Sequence, residues 1–381
     1  MNGTAKNMPK TDSLKNIIFV RLNFLVQRLV QRKKEILLLI TVSVFCFLVL
    51  EIVARSIIKE KKNSWYGYPP GLFLPDDTKG FVYKPHFKGL FPNEPFTDIS
   101  ININSKGLRD VEHEYEKPPG TIRILGLGDS VTFGAGVAFE DTYLSQLERK
   151  LNDAGYSVEI IKAGVNSYEF DQERTYFKEE GYKYNPDVVI LGLFLNDIRE
   201  ITPAEVQKEK KDTENLLKRE VTESPPEELS SPKSFVDRVA NICKLCEIFI
   251  SQRREAYNLL YFSKAIEEQW TRDWPRFEER IVDFYSELKK SNIKLLILVF
   301  PETEQFSHSH NLTKLPQQRL AEMAQKNDIE IIDLLPFLDV EGFNNIYLNG
   351  DSIHPNKAGY KIVSDILYKK LLEKNYVIKS K

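Results

Sequence analysis

The chain has 381 residues, which is enough for one large domain with appendages and a substantial buried core. Its 53 basic and 55 acidic residues give a formal net charge of −2, so a globally basic nucleic-acid-binding surface is excluded. The charge is uneven, because residues 1–35 contain eight Lys or Arg residues and only two acidic ones, Asp12 and Glu35.

An apolar segment follows this basic N-terminus. Ile36–Leu50 contains no charged residue, and the apolar sequence continues beyond it apart from Glu51 and Arg55. A helix needs roughly 20 mainly apolar residues to cross a bilayer. Glu51 and Arg55 are four residues apart and can pair on one helical face. We therefore predict one transmembrane helix over 36–58, with a cleaved signal peptide and a buried soluble helix as alternatives.

The basic residues also predict the orientation of this helix. Eight of them precede the span and four lie at or beyond its far end, which favours a cytoplasmic N-terminus and an extracytoplasmic main domain. Trp65, Tyr66 and Tyr68 are then expected at the outer membrane interface. The stretch Ile17–Arg32 either lies on the inner leaflet or belongs to a disordered basic tail.

The remaining sequence predicts an α/β domain over 118–377, preceded by a β-containing lead-in segment over 59–117. Strand-like pieces of the lead-in lie at Gly80–Tyr83 and Asp98–Asn104. Apolar runs without alternation, separated by amphipathic helical patterns, indicate a parallel sheet covered on both faces. The predicted strands are Ile122–Leu127, Val158–Ala163, Val188–Phe194, Leu295–Phe300 and Ile329–Leu334; the predicted helices are Tyr143–Ala154, Phe277–Lys290, Leu315–Lys326 and Lys357–Lys374.

The spacing of strands and helices is interrupted by a predicted insertion at about 200–275. Within it, Glu205–Lys233 is rich in Lys, Glu, Ser and Pro and is predicted to be solvated and mobile, whereas Ile242–Trp274 is predicted to be helical. The insertion either covers the site as a lid or pads the surface.

The three cysteines lie at two places in the chain. Cys46 lies inside the apolar segment and is interpreted as an apolar filler. Cys243 and Cys246 form a C-x-x-C in the insertion, and they are two unlinked helix residues, a local disulfide, or a redox or metal site. No second pair of ligands is near, which argues against zinc.

Ser130 is the candidate nucleophile. It ends the run Gly128-Asp129-Ser130 directly after a predicted strand, at the sheet edge where parallel sheets bind ligands. Flanking glycines would let a substrate approach the backbone closely. Because Thr132 stands two residues later, this is not a G-x-S-x-G elbow, and an ordinary turn is the alternative.

His354 and Asp351 are the candidate base and its orienting group. A spacing of three residues on a turn can set a carboxylate beside one imidazole nitrogen, so that the other nitrogen accepts the serine proton. The alternative is that both side chains cap the last helix. The other four histidines are interpreted as surface residues: His86, His113, His308 and His310.

Gly164 and Asn196 follow the second and third predicted strands and lie at the same sheet edge as Ser130. A backbone N–H at a glycine and a side-chain amide are suitable hydrogen-bond donors for a developing oxyanion. The sequence thus predicts four site positions in the order Ser130, Gly164, Asn196 and His354, with Asp351 beside the last.

In these residues the chain resembles the SGNH (GDSL-type) hydrolase family, whose four sequence blocks contribute Ser, Gly, Asn and His in this order. The resemblance covers roughly residues 98–375. It implies a flavodoxin-like three-layer α/β/α fold and ester hydrolysis, with Ser130 as nucleophile and donors from Ser130, Gly164 and Asn196. One departure is visible, because Phe194 stands where the family usually has a glycine two residues before Asn196.

The resemblance implies a membrane-anchored esterase that removes O-acetyl groups from an envelope or exported polysaccharide, without a cofactor or metal. Its expected partners are an acylated carbohydrate or other ester and the lipid bilayer, and no nucleic acid. Two alternatives stay open: an O-acyltransferase supplied by a membrane acyl-donor partner, and a non-catalytic carbohydrate-binding scaffold. The complete Ser130, His354 and Asp351 set argues against the scaffold.

Overall fold

The computed structural model describes most of the chain, in two compact units. The described residues are 19, 21–24, 32–57, 67–93, 95–222, 243–306 and 313–379. The smaller unit combines Met1–Glu60 with Ser230–Arg254, and the larger combines Lys61–Leu229 with Glu255–Lys381. The predictions for Trp65, Tyr66, His308, His310, most of Ile17–Arg32 and 223–233 lie outside the described residues.

The smaller unit contains the apolar segment as one helix, α1 (Lys33–Ile57). By length and composition this helix can cross a membrane, and only 6% of its apolar window is buried. Because it is exposed along nearly its whole length, it is not the core helix of a soluble domain. Glu51 pairs with Arg55 at 2.8 Å, as predicted. Glu51 also accepts a hydrogen bond from the Leu245 N–H at 2.9 Å.

The same unit contains the C-x-x-C motif, in which Cys243 and Cys246 form a disulfide. The interpretation of these cysteines as unlinked residues is therefore wrong. Cys243 precedes the first helical residue of the insertion, Lys244, so the disulfide closes the N-terminal turn of that helix. The Cys243 Sγ also accepts a hydrogen bond from the Cys246 N–H at 3.1 Å.

The lead-in segment contains two small antiparallel hairpins. Strand β1 (Phe73–Asp76) pairs with β2 (Gly80–Tyr83), and β3 (Lys88–Leu90) pairs with β4 (Ser100–Asn102). Tyr68 packs edge-on against Phe73. Apolar side chains of these hairpins form a cluster with residues that follow the first and second strands of the central sheet: Phe133, Ala135, Val165 and Tyr168. The lead-in therefore packs beside the expected site.

The central sheet has five parallel strands, as predicted. They are β5 (Ile122–Gly128), β6 (Val158–Gly164), β7 (Val188–Leu193), β8 (Lys294–Val299) and β9 (Glu330–Asp333). The spatial order β6-β5-β7-β8-β9 is the 2-1-3-4-5 order of flavodoxin-like folds. The first strand in the chain is therefore second in the sheet, and β6 and β9 form its edges.

Helices cover both faces of this sheet. Successive strand residues alternate between two hydrophobic clusters: Leu125 and Leu127 belong to one, and Ile124 to the other. The described helices after α1 are α2 (Ser130–Phe133), α3 (Tyr143–Asp153), α4 (Phe170–Glu179), α5 (Pro203–Thr222), α6 (Lys244–Lys290), α7 (Leu315–Asn327), α8 (Leu335–Asp339), α9 (Phe343–Ile346) and α10 (Lys357–Glu373). Helices α4, α6 and α7 pack on the first face, and α3, α8 and α10 on the second. This confirms the three-layer α/β/α architecture.

The insertion is more regular than its composition suggested. Helix α5 (Pro203–Thr222) occupies the first half of the segment predicted to be solvated and mobile, so that prediction is wrong for Glu205–Thr222. Lys and Glu favour helices, and tertiary contacts with β1 and β2 support this one. The helices predicted at Ile242–Trp274 and Phe277–Lys290 are one continuous helix, α6, with Pro275 inside it.

His113 is buried, which corrects its interpretation as a surface residue. Its side chain is 4% exposed and lies between Glu159, at 2.6 Å from Nδ1, and Asp110, at 3.0 Å from Nε2. Burial alone would lower its pKa, but the hydrogen bonds and charges of Asp110 and Glu159 raise it above the ordinary value. His86 is exposed, as predicted.

Arg109 ties the lead-in to the segment after Ser130. Its guanidinium is buried and donates hydrogen bonds to the carbonyls of Gly134 at 2.8 Å, Val137 at 2.9 Å and Ser100 at 3.0 Å. Burial lowers the pKa of Arg109 to about 10, so it stays charged at neutral pH. Several backbone carbonyls of this region therefore depend on one side chain.

We predict that Arg109→Met lowers the free energy of unfolding by about 3 kcal/mol or more, because buried carbonyls lose their charged donor. Urea unfolding followed by circular dichroism measures the change. Arg149→Met is the matched control, because Arg149 is exposed and its contacts with the described residues are long ones, of 3.4 and 3.5 Å to the Glu140 carbonyl. Equal stability of the two variants would contradict the role of Arg109.

Candidate active site

A sharp turn between β5 and α2 presents Ser130. Gly128 has φ +154°, and a Cβ there would lie 2.0 Å from Thr132 Oγ1 and 2.8 Å from the Gly192 carbonyl, so only glycine fits. Asp129 caps α2 by accepting a hydrogen bond from the Val131 N–H at 2.9 Å. Ser130 is partly exposed at the carboxyl edge of the sheet, where the sequence predicted it.

The structure brings Ser130, His354 and Asp351 into one hydrogen-bonded series. His354 Nε2 lies 2.8 Å from Ser130 Oγ, and His354 Nδ1 lies 2.7 Å from Asp351 Oδ2. With the proton on Nδ1, the carboxylate holds the imidazole so that Nε2 can accept the serine proton. The arrangement has the chemical capacity to activate a hydroxyl nucleophile.

Backbone contacts fix the carboxylate of this series. Asp351 Oδ1 accepts hydrogen bonds from the Ile353 N–H at 2.7 Å and the His354 N–H at 2.9 Å. Burial alone would raise the pKa of Asp351, but these bonds and the His354 side chain lower it, so the carboxylate is ionised at neutral pH. Asn356, rather than Asp351 or His354, caps the last helix α10. The capping alternative is therefore wrong.

Gly164 lies directly against the helix that carries Ser130. A Cβ at this position would lie 2.2 Å from the Phe133 backbone nitrogen, so α2 can approach β6 only over a glycine. The Val165 N–H donates to the Gly128 carbonyl at 3.0 Å. Since neighbouring residues of a strand turn their backbone groups to opposite sides, the Gly164 N–H faces the outer edge of β6. The packing role of Gly164 therefore replaces the expected donor role of its N–H.

Asn196 follows β7 in a short 3₁₀ turn, Leu195–Ile198, and is exposed. The turn is fixed on two sides: the Trp270 indole N–H donates to the Leu195 carbonyl at 3.0 Å, and Asp197 accepts from the Phe194 N–H at 2.7 Å. The Phe194 ring is 4% exposed and belongs to the hydrophobic cluster on the α3 and α10 face. Phe194, which stands where the family usually has a glycine, is therefore a core residue.

Sequence reasoning missed two features beside these residues. Ser167, in the loop after β6, has φ +65°, a conformation that L-residues rarely adopt, and its side chain is exposed. Helix α4 was not predicted, and two buried carboxyl groups lie at its start: Glu169 at the N-cap position and Glu173 within the helix. The available signal was the spacing of Phe170, Glu173 and Phe177, which sets a glutamate on an apolar helical face.

Comparisons with known proteins identify a family and several similar solved structures. The model of the GDSL-like lipase/acylhydrolase family matches residues 127–362. No curated protein matches the chain significantly. Similar solved structures include a lipase/acylhydrolase from Enterococcus faecalis, with 14% identity, a TM-score of 0.41, and coverage of 68% of this chain and 99% of that one. Another is a catalytic mutant of an acetylxylan esterase from Geobacillus stearothermophilus, with 12% identity and a TM-score of 0.40. The match covers 66% of this chain and 94% of that one.

The fold and the site define an α/β hydrolytic enzyme. The matched family segment contains more than half of the chain and includes the residues of the hydrogen-bonded series. The chain belongs to the GDSL-like lipase/acylhydrolase family, the SGNH hydrolases, and is an ester hydrolase of that family.

Proposed function

We propose that this chain is a membrane-anchored serine esterase that hydrolyses O-acyl esters, specifically O-acetyl esters of an envelope or exported polysaccharide, through an acyl-enzyme on Ser130. The observation that carries the proposal is the Ser130–His354–Asp351 series, with contacts of 2.8 and 2.7 Å. A binding scaffold would need none of these three groups in this order.

The proposed reaction has two halves. Ser130 Oγ attacks the ester carbonyl carbon while His354 Nε2 takes its proton, and His354 then returns that proton to the departing sugar oxygen as the ester bond breaks. In the second half, water attacks the acyl carbon while His354 Nε2 takes its proton. The bond from that carbon to Ser130 Oγ then breaks, His354 returns the proton to Oγ, and the carboxylic acid leaves. Asp351 stays ionised throughout and stabilises the imidazolium that forms in each half.

The proposed oxyanion donors are the Ser130 N–H and the Asn196 side-chain amide. Among the hydrogen bonds of the described residues, none uses the Ser130 N–H, so this donor is available at the N-terminal turn of α2. The exposed Asn196 follows the neighbouring strand at the same sheet edge. Each donor is worth about 3 kcal/mol in favourable cases. We propose that Gly164 contributes by allowing α2 to pack closely.

The proposed location is a single-pass membrane protein with the hydrolase domain outside the cytoplasm. The support is helix α1, which is exposed and apolar, together with the eight basic residues that precede its apolar segment at Ile36. An extracytoplasmic site would meet acylated glycans of the envelope, whereas cytoplasmic acyl-CoA would not reach it. The substrate class rests on this location and on the family.

A serine-directed fluorophosphonate probe tests the proposed nucleophile. We expect labelling of the wild type and none of Ser130→Ala, because the probe reacts with a serine activated by an adjacent base. Ser167→Ala is the matched control, since Ser167 is an exposed serine at the same sheet edge, and it should label like the wild type. A folded wild type that does not label would support the scaffold alternative instead.

The fate of the acyl group separates hydrolase from transferase. With an acetylated oligosaccharide and an unacetylated glycan in one reaction, we expect acetate in solution and no change in mass of the added glycan. A gain of one acetyl group by the glycan would favour the O-acyltransferase and contradict the assignment of water as acceptor.

Replacing the base His354 should lower kcat more than replacing its hydrogen-bond partner Asp351. We predict that His354→Ala lowers kcat by about 10⁶-fold and Asp351→Asn by about 10⁴-fold, because histidine moves the proton while the aspartate orients it. Steady-state hydrolysis of p-nitrophenyl acetate measures both, and the exposed His86→Ala serves as control. Wild-type turnover by His354→Ala would refute the mechanism.

A further inference from the structure

Four buried carboxyl groups lie behind the site, on the three segments that follow β5, β6 and β7. Asp129 precedes Ser130, Glu169 is the N-cap residue of α4, Glu173 lies within α4, and Asp197 follows Asn196. Their exposed fractions are 3% for Asp129, 6% for Glu169, 1% for Glu173 and 0% for Asp197. We name these four residues the acidic cluster. The proposed reaction uses none of them.

Hydrogen-bond donors are too few for four ionised carboxylates. Among the described residues, no group donates to either oxygen of Glu173, to Asp197 Oδ1 or to Glu169 Oε2. Arg199, which is 44% exposed, pairs with the other oxygen of Glu169 at 2.9 Å. Ionised carboxylates without donors are strongly disfavoured in a protein interior, whereas a protonated carboxyl becomes a donor to its neighbour.

Burial and repulsion between neighbouring carboxylates both favour the protonated form of the acidic cluster. Burial first, and then the charges of Asp129 and Glu169, raise the pKa of Glu173 well above its ordinary value. Burial and the charge of Glu173 do the same for Asp197. The other titratable groups near the cluster are Asp171 on α4, Glu209 on α5, Tyr143 on α3 and His354 beside Asp129.

The carboxyl groups of the acidic cluster are suited to binding protons rather than a metal ion. Within the parts of the chain that the structure describes, no three His, Cys, Asp or Glu side chains converge so as to hold a metal ion. Two carboxyl groups that share a site keep at least one proton between them. Glu173 has no donor among the described residues, and repulsion from Asp129 and Glu169 acts on it directly.

We propose that Glu173 is a positioning residue that must be protonated for the site to work, and that loss of its proton to solvent at alkaline pH separates the segments carrying Ser130 and Asn196. This inference rests on the proposed function, because it concerns the geometry of the same site. Asp129 adjoins Ser130, and Asp197 adjoins Asn196. Repulsion between an ionised Glu173 and these two carboxylates therefore displaces both proposed oxyanion donors from their positions. The effect should therefore appear in kcat rather than in KM.

The sign of the pH dependence follows from the raised pKa values. Burial raises the pKa of Asp129 to about 6 and that of Glu169 to about 7. Because the folded pKa exceeds the unfolded one, the contribution of each group to stability is complete below about pH 4 and is lost as the pH rises through the folded value. Asp129 and Glu169 therefore lose their contributions between about pH 4 and 7. Glu173, whose pKa burial raises well above its ordinary value, loses its own contribution only as the pH rises through that raised value.

The test compares the full-length wild type with Glu173→Gln, which imitates the protonated acid, and with Glu173→Ala, which removes it. For p-nitrophenyl acetate hydrolysis between pH 5 and 10, we expect Glu173→Gln to move the alkaline decline of kcat upward by about one pH unit or more, with KM unchanged. Glu173→Ala should lower kcat about tenfold or more at every pH. Glu322→Gln, on an exposed carboxylate, should follow the wild type.

An infrared measurement separates this inference from the proposed function. The difference spectrum between wild type and Glu173→Gln at neutral pH should contain the C=O band of one protonated carboxyl group, whether or not any ester is hydrolysed. Absence of that band, an alkaline decline that coincides with the wild type, or a Glu173→Gln protein that does not fold would each overturn the inference. A band without any ester hydrolysis would instead sink the proposed function alone.

Discussion

The hydrogen bond between Ser130 Oγ and His354 Nε2 joins two points 224 residues apart, and the rest of the structure can be understood as the means of making that contact. Ser130 is held at the end of β5 by a turn that needs Gly128 and by close packing of α2 over Gly164. His354 is held by a loop whose carboxylate, Asp351, accepts three hydrogen bonds from Ile353 and His354. The Tyr360 hydroxyl of α10 donates a hydrogen bond to the Val131 carbonyl at 2.8 Å, which helps to hold the two sides together.

The same edge of the sheet holds groups that oppose stability. The acidic cluster lies directly behind the nucleophile and the Asn196 turn, where its four carboxyl groups have few donors. A core built for stability would carry apolar or amide side chains there. Functional sites commonly retain such unfavourable groups, and the surrounding hydrophobic clusters and the Arg109 contacts compensate for them.

The sequence predicted the sheet and most of the site because both depend on local patterns. Five apolar runs predicted the strands, the residues after them predicted Ser130 and Asn196, and the three-residue spacing before the last helix predicted Asp351 and His354. Long-range packing explains the failures. Glu205–Thr222 is polar enough to look solvated but is helical against the lead-in, and His113 is buried only because Asp110 and Glu159 surround it. The direction of the Gly164 N–H depends on strand register, which the sequence does not encode locally.

The most direct measurement of the central claim is the capture of the acyl-enzyme. Intact-protein mass spectrometry after rapid acid quench of a reaction with p-nitrophenyl acetate should reveal a fraction of the chain one acetyl group heavier. Peptide mapping should then locate that group on Ser130, and Ser130→Ala should gain nothing. Acetylation at another residue, or undiminished ester hydrolysis by Ser130→Ala, would contradict the account.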